Sequence, residues 1–160
     1  MSASGDIRIV DAFNTDEVDF LSSLLYAYNK GTFEIGHYEY GLLYYNIGLI
    51  CFNVVGVFTE VTEQLGVVIM RFLSCFFLFG TAVVLRQFTK KHMDSAKELV
   101  FVLVLFSSIT LINYGTMLHP DLAQVFFVAL SLFYVADYVK LPTLKSIVLS
   151  SLFAGFAFST

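Results

Sequence analysis

The stretch VVIMRFLSCFFLFGTAVVLRQF, residues 67–88, decides the fold class of this chain. It is long enough to cross a bilayer as a helix, for which about 20 apolar residues are needed. Arg71 stands about one turn inside its first end, and Arg86 lies near the other. Hydrophobic residues make up 58% of the 160 residues, and the mean hydropathy of +0.78 is well above the range of soluble domains. We therefore expect an integral membrane protein built from helices.

Three further stretches have the apolar character of membrane helices. They are residues 99–118, residues 122–139 and a shorter run from residue 147 onward. A fifth stretch, residues 41–58, contains two asparagines and three glycines, which suit an interfacial helix better than a crossing one. The sequence thus predicts an all-α, polytopic transmembrane protein with an external pair of amphipathic and interfacial helices near its N-terminus.

The distribution of cations predicts the orientation of the chain. The positive-inside rule places in the cytoplasm the links that hold Arg86, Lys90, Lys91, Lys97, Lys140 and Lys145. The link at residues 116–121 has no cation, and the N-terminal segment is acidic, so both are expected on the outer side. If residues 41–58 crossed the bilayer, Asp16 and His119 would lie on opposite sides. If that stretch stays at the outer surface, the two residues share one side, which is the arrangement we expect.

Residues 14–30 predict an amphipathic helix outside the membrane. Asn14 and Glu17 are spaced as a capping box, apolar side chains recur on one face, and Gly31 is suited to end the helix. Acidic residues in a first turn are favoured by the helix dipole, so Asp16 and Glu17 have a purely structural explanation. The functional explanation is that Asp16, at the mouth of a pocket, accepts a proton from a hydroxyl or binds a divalent metal ion.

The triplet His119-Pro120-Asp121 stands directly before the span at residues 122–139. A proline followed by an aspartate is an ordinary way to start a helix. The same place also suits an anionic phosphate, to which His119 could donate while Asp121 orders a donor or a metal. Arg71 likewise has two explanations, either snorkelling to lipid head groups or pairing with a lipid-linked phosphate.

Composition and spacing exclude several classes of function. The formal net charge of −4 and the lack of a basic stripe argue against a nucleic-acid partner. The glycines are scattered and the three histidines lie far apart, so phosphate loops, zinc sites and nucleophile elbows have no candidate residues. Cys51 and Cys75 lie in apolar runs and are expected to be inert packing residues. No cofactor is expected with certainty, and a divalent metal at Asp16 stays an option.

The order of these motifs resembles the N-terminal part of the GT-C membrane glycosyltransferases, especially the protein O-mannosyltransferases and bacterial aminoarabinose transferases. The resemblance rests on FNTDEVDFL (13–21), HYEYGLLYYNIGL (37–49), the span that begins near Arg71 and ends in LRQFTKKH (85–92), HPDLAQVFFVALSLFYVADY (119–138) and LFAGFAFST (152–160). It extends over nearly the whole chain, and the order of the motifs carries most of it. Such enzymes move a sugar from a polyprenyl-phosphate carrier to an acceptor on the outer or lumenal side.

The resemblance implies roles for particular residues. Asp16, with Glu17 beside it, would hold the catalytic carboxylate of the first external loop, acting as general base on the acceptor hydroxyl or as a metal ligand. The stretch EYGLLYY, residues 39–45, is similar to the family's Glu-x-Pro-Pro-Leu-Tyr-Tyr interfacial helix, although a Gly-Leu pair stands where the family has two prolines. With Arg71, His119 and Asp121 from the charge and helix-start arguments above, the residues predicted to bind substrate are Glu39, Tyr40, Arg71, His119 and Asp121.

We therefore predict one partial GT-C transmembrane domain over residues 1–160, with an external loop at 1–65 and transmembrane helices at 66–160. The expected partners are a polyprenyl-phosphate sugar donor, a protein, lipid or glycan acceptor, and the lipid bilayer. The expected location is multi-pass in the bacterial inner membrane or the endoplasmic reticulum. The family has further helices before and after this region, so the chain is not expected to turn over alone. The alternative is a non-catalytic membrane subunit or lipid transporter component whose polar residues only cap helices.

Overall fold

The computed structural model describes residues 15–34, 42–92 and 94–160, and these residues form helices without any strand. The helices are α1 (Thr15–Lys30), α2 (Leu42–Gly56), α3 (Glu63–His92), α4 (Ser95–Ser107), α5 (Ile109–Thr116), α6 (Asp121–Lys140) and α7 (Leu144–Phe158). The all-α class predicted from the sequence is therefore confirmed over the described residues.

Two of these helices, α3 and α6, are long and apolar enough to cross a membrane. The 30 residues of α3 extend for about 45 Å and the 20 residues of α6 for about 30 Å, the latter matching the apolar core of a bilayer. Only 33% and 22% of their most apolar windows are buried, whereas the core helix of a soluble protein would be mostly covered. Most of their apolar surface therefore faces outward.

Helices α3 and α6 lie side by side and run in the same direction. Gly80 of α3 packs against the ring of Phe126 in α6, and further along the Lys91 ammonium pairs with the Asp137 carboxylate at 2.5 Å. Because α3 has ten residues more than α6, it continues beyond the start of α6 by about 15 Å. This extension of α3 is the surface on which the first two helices pack.

Helices α1 and α2 cover one side of the extension. Gly48 of α2 lies against Met70, and Gly66 of α3 lies against Leu21 of α1 and Phe52 of α2. These glycines allow the three helices to approach closely, since a Cβ at either position would stand 2.7–3.0 Å from the facing side chain. The resulting apolar core fixes α1 and α2 to the first turns of α3.

Helix α7 returns antiparallel to α6 and closes the bundle. The Ser131 hydroxyl donates to the Ser150 carbonyl at 3.0 Å between the two helices. At the end of α7, the Ser159 carbonyl accepts the backbone N–H of Leu43 in α2 at 2.8 Å. One end of the molecule, here called the Glu17 end, therefore gathers α1, α2, the start of α6 and the end of α7. The opposite end is called the Lys91 end.

The predicted end of α1 at Gly31 is confirmed. Gly31 has a φ of 63°, a conformation that glycine adopts without strain. Its N–H donates to the Tyr28 carbonyl and that of Thr32 to the Ala27 carbonyl, both at 3.1 Å, which is the Schellman arrangement. The predicted cap at Asn14 lies outside the described residues.

The structure corrects the prediction for one apolar stretch and adds detail to the prediction for another. Residues 99–118 do not form one helix, because Ser108 leaves the helical conformation with φ −70° and ψ 103°, which separates α4 from α5. The Ser107 hydroxyl bonds the Val104 carbonyl at 2.8 Å, a local bond typical of serines that compete with helix geometry. The stretch at 41–58 forms α2, whose 15 residues reach only about 22 Å, less than a bilayer core.

Replacing Gly80 by valine should destabilise the α3–α6 contact, because a Cβ there would stand 2.7 Å from the Phe126 ring. Overpacking of this kind costs about 1–3 kcal/mol. Gly155→Val in α7 is the matched control, since no atom lies within 4 Å of a Cβ at that position. We expect thermal unfolding of the purified protein in detergent, followed by circular dichroism, to show a lower Tm for Gly80→Val alone. Equal melting of both variants would contradict the described packing.

Candidate functional site

The carboxylate of Glu17 is the centre of the Glu17 end. The residue is fully buried, in the first turn of α1. One carboxylate oxygen lies 2.9 Å from Nη2 of Arg71 in α3, and the other accepts the backbone N–H of Leu118 in the link between α5 and α6. A single side chain therefore joins three segments that are distant in the sequence.

The electrostatics of this contact require both partners. A buried carboxylate costs several kcal/mol of desolvation unless a cation and hydrogen-bond donors compensate it. Arg71 supplies the cation and Leu118 the donor, while the Arg71 side chain keeps 31% of its surface exposed. The pair therefore sits at the edge of the core, with the carboxylate inside and the guanidinium reaching toward the surface.

The link after Leu118 holds the predicted His119-Pro120-Asp121 motif at the start of α6. The backbone N–H of Asp121 donates to Nδ1 of His119 at 3.4 Å, and the Asp121 carboxylate lies 3.2 Å from the same nitrogen. The ring of Tyr114 meets the imidazole edge-on, with the ring centroids 5.2 Å apart. His119 is largely covered, whereas about half of the Asp121 side chain is exposed. The motif therefore opens α6, as predicted, and presents a carboxylate at the surface beside the Glu17 contact.

A second polar contact holds α2 next to Arg71. The Tyr44 hydroxyl forms a 2.8 Å hydrogen bond with the hydroxyl of Ser74, one turn after Arg71 in α3. Tyr44 is fully buried, and this burial raises the pKa of its phenol above the ordinary value. The ring of Phe20 in α1 stacks on Tyr45, with centroids 3.9 Å apart. These contacts fix α1, α2 and α3 as one unit around the ion pair.

The structure brings together some of the predicted site residues. Glu17 and Arg71 are in direct contact, and Glu17 also binds the N–H of Leu118, the residue before the 119–121 motif. Asp16 belongs to the first turn of α1, directly before Glu17, but its side chain lies outside what the structure describes. Glu39 and Tyr40 fall in residues 35–41, outside the described ranges, so their role in substrate binding stays a prediction.

Sequence reasoning did not identify the internal partner of Glu17, although a signal for one exists. Glu17 lies four residues before Leu21 and seven before Leu24, both fully buried, so it belongs to the apolar face of α1. A charged side chain on such a face needs a partner. The contact between Tyr44 and Ser74 has no comparable signal, because neither residue stands out in its own helix.

The site contains no evident metal centre among the side chains that the structure describes. No group of three or more His, Cys, Asp or Glu side chains in this part of the chain is arranged to hold a metal ion. The predicted option of a metal at Asp16 is untouched by this finding, because the Asp16 side chain is not among those described.

Comparisons with known proteins add no family to this picture. No family model, curated protein or solved structure matches the chain. Over the described residues, fold and site define an all-helical protein with two helices of membrane-spanning length and, at one end, a buried carboxylate paired with a part-exposed arginine. The groups at this end that can bind a ligand or move a proton are the Arg71 guanidinium, the His119 imidazole and the Asp121 carboxylate.

A double-mutant cycle should show that Glu17 and Arg71 depend on each other. Arg71→Met leaves the buried carboxylate without its cation and should lower the free energy of unfolding by about 3 kcal/mol. Adding Glu17→Gln removes the uncompensated charge and should restore a large part of that loss, as measured by chemical unfolding in detergent.

Lys97→Met provides the control for this cycle, since the pair of Lys97 with Asp94 is largely exposed and surface pairs contribute little. Strictly additive effects of the Glu17 and Arg71 substitutions would show that the two side chains do not interact.

Proposed function

We propose that the chain is part of a multi-pass membrane glycosyltransferase of the GT-C type. In this proposal, a sugar moves from a polyprenyl-phosphate carrier to an acceptor hydroxyl on the outer or lumenal face of the membrane. Helices α1 and α2 form the external amphipathic and interfacial pair, and the later helices enter the bilayer. The bacterial inner membrane and the endoplasmic reticulum both fit this orientation.

The exposed surface of α3 supports the membrane part of the proposal. Val68, Phe72, Phe76 and Phe79 recur on one side of the helix and are between 59% and 74% exposed. Soluble monomers rarely present a continuous apolar face of this kind to water. In a bilayer the same side chains would contact lipid acyl chains, and their exposure carries no energetic penalty.

The observation that carries the proposal is the contact of Glu17 with both Arg71 and the N–H of Leu118. It joins the acidic first turn of α1 to the start of α6, although 101 positions separate Glu17 from Leu118. Arg71 and the residue that leads into the His119-Pro120-Asp121 motif are thus bound to one carboxylate, and Asp16 directly precedes that carboxylate in the sequence. An enzyme that transfers a lipid-linked sugar needs this combination of a base and phosphate-binding groups.

Each residue of the proposed site has its own role in the reaction. The acceptor hydroxyl oxygen forms a bond to the anomeric carbon, and its proton passes to the Asp16 carboxylate. The bond between that carbon and the phosphate oxygen breaks, and polyprenyl phosphate leaves. Arg71 and His119 bind the phosphate, and Asp121 orders a donor beside it. Glu17 holds the Arg71 guanidinium and the start of α6 in place through its two contacts.

The second candidate is a non-catalytic membrane subunit or a lipid transporter component. The observation in its favour is that both carboxylate oxygens of Glu17 are engaged within the protein, as in a structural clamp. The two candidates differ in what they require of Asp16 and of the side of the membrane on which it lies. The next two experiments separate them.

Asp16→Asn in the complete protein should abolish sugar transfer while leaving membrane insertion and thermal stability intact, because the amide cannot accept the proton of the acceptor. Asp19→Asn is the matched control, since Asp19 lies one turn along α1 and is exposed. The assay follows the release of polyprenyl phosphate from a panel of synthetic polyprenyl-phosphate sugars. An active Asp16→Asn enzyme would remove this residue from the mechanism.

Cysteine labelling should place α1 and the α5–α6 link on the same side of the membrane. In a background with Cys51→Ala and Cys75→Ser, single cysteines replace Asp19, Met117 or Lys145. We expect a membrane-impermeant thiol reagent to label positions 19 and 117 from the outer side and position 145 only after permeabilisation. Labelling of 19 and 117 from opposite sides would favour the non-catalytic candidate.

A further inference from the structure

The turn between α6 and α7 has an unusual surface at the Lys91 end. Leu141 and Leu144 are 70% and 80% exposed, and Val139 is 75% exposed. Lys140 and Lys145, also exposed, flank the two leucines on either side. A short segment therefore presents large apolar side chains to the outside with a cation next to each.

The conformation of this turn is fixed by hydrogen bonds at both helix ends. The Leu141 N–H donates to the Asp137 carbonyl at 2.9 Å and ends α6. The Thr143 hydroxyl accepts the Ser146 N–H at 3.2 Å and begins α7. The backbone that carries the leucines and lysines is therefore held in position before any ligand arrives, which reduces the backbone entropy lost on binding.

The charges around the turn favour an anionic ligand. Asp137, the nearest acid in the sequence, is paired with Lys91, which also lies 5.5 Å from the Phe133 ring centroid. Asp94 is paired with Lys97. Within the described part of the chain, Lys140 and Lys145 have no ion-pair partner, so their charges are available to a phosphate.

From this geometry we infer that the α6–α7 turn is a binding site for an anionic phospholipid of the cytoplasmic leaflet. Leu141 and Leu144 enter the boundary between head groups and acyl chains, and Lys140 and Lys145 bind the lipid phosphate. The alternation of apolar and cationic side chains fits a bilayer surface, where both kinds of partner lie within one side-chain length. The inference rests on the membrane orientation of the proposed function and is independent of sugar transfer.

The test measures lipid retention by native mass spectrometry of the full chain purified in detergent. Phosphatidylglycerol and phosphatidylcholine with identical acyl chains are titrated against the wild type and the double variant Lys140→Gln/Lys145→Gln. We expect the wild type to prefer phosphatidylglycerol and the double variant to bind it about 25-fold more weakly, at about fivefold for each lysine. High salt should weaken the wild-type preference, since screening reduces the attraction between exposed charges.

Two controls make the outcome specific. Lys30→Gln/Lys90→Gln removes the same charge from two exposed lysines outside the turn and should keep the preference. Leu141→Ser/Leu144→Ser should weaken retention of both lipids alike, because the leucines contact the acyl chains and do not distinguish between charged and neutral head groups. Equal binding of the two lipids by the wild type, or an unchanged preference in Lys140→Gln/Lys145→Gln, would overturn the inference. Neither result bears on sugar transfer, which the Asp16 variant tests separately.

Discussion

A carboxylate without exposed surface, that of Glu17, connects α1 to α3 and to the start of α6. Removing this charge from water is unfavourable by several kcal/mol, so the arrangement is stable only while Arg71 and the Leu118 N–H stay in contact with it. The contact is directional, since each carboxylate oxygen has its own donor. It therefore fixes the position of α1 relative to the rest of the bundle more precisely than apolar packing alone would.

The contact forms on the part of α3 that extends beyond the start of α6. A helix of 20 residues matches a bilayer core, and one of 30 residues exceeds it by about 15 Å. Because the two helices run in parallel and end together at Lys91 and Asp137, the excess lies entirely at the Glu17 end. Arg71 lies on this extension, where its guanidinium can reach both a buried acid and the surface. The site therefore depends on the difference in length between α3 and α6.

The two ends of the molecule use charge differently. At the Glu17 end, a buried carboxylate pairs with a part-exposed guanidinium and holds segments in place. At the Lys91 end, the described acids are paired with Lys91 and Lys97, and the α6–α7 turn keeps two exposed lysines beside exposed leucines. The first arrangement favours a rigid, specific site, and the second favours a mobile anionic partner at a surface.

Short sequence patterns were sufficient to predict much of the fold. The apolar runs located α3, α6 and α7, Gly31 marked the end of α1, and Pro120 preceded the first residue of α6, because helix formation and capping depend on residues within a few positions of each other. The break at Ser108 was missed, since a pair of serines interrupts a helix only in some environments.

The tertiary structure alone decided the contacts of the site. Glu17 meets Arg71 across 54 positions and Leu118 across 101, and Tyr44 meets Ser74 across 30. The sequence determined that α1 would be an amphipathic helix with Asp16 and Glu17 in its first turn, but it assigned no internal partner to Glu17. Which partner it found depended on the relative register of α1, α3 and α6, and register is set by the packing of whole helix faces rather than by any local pattern.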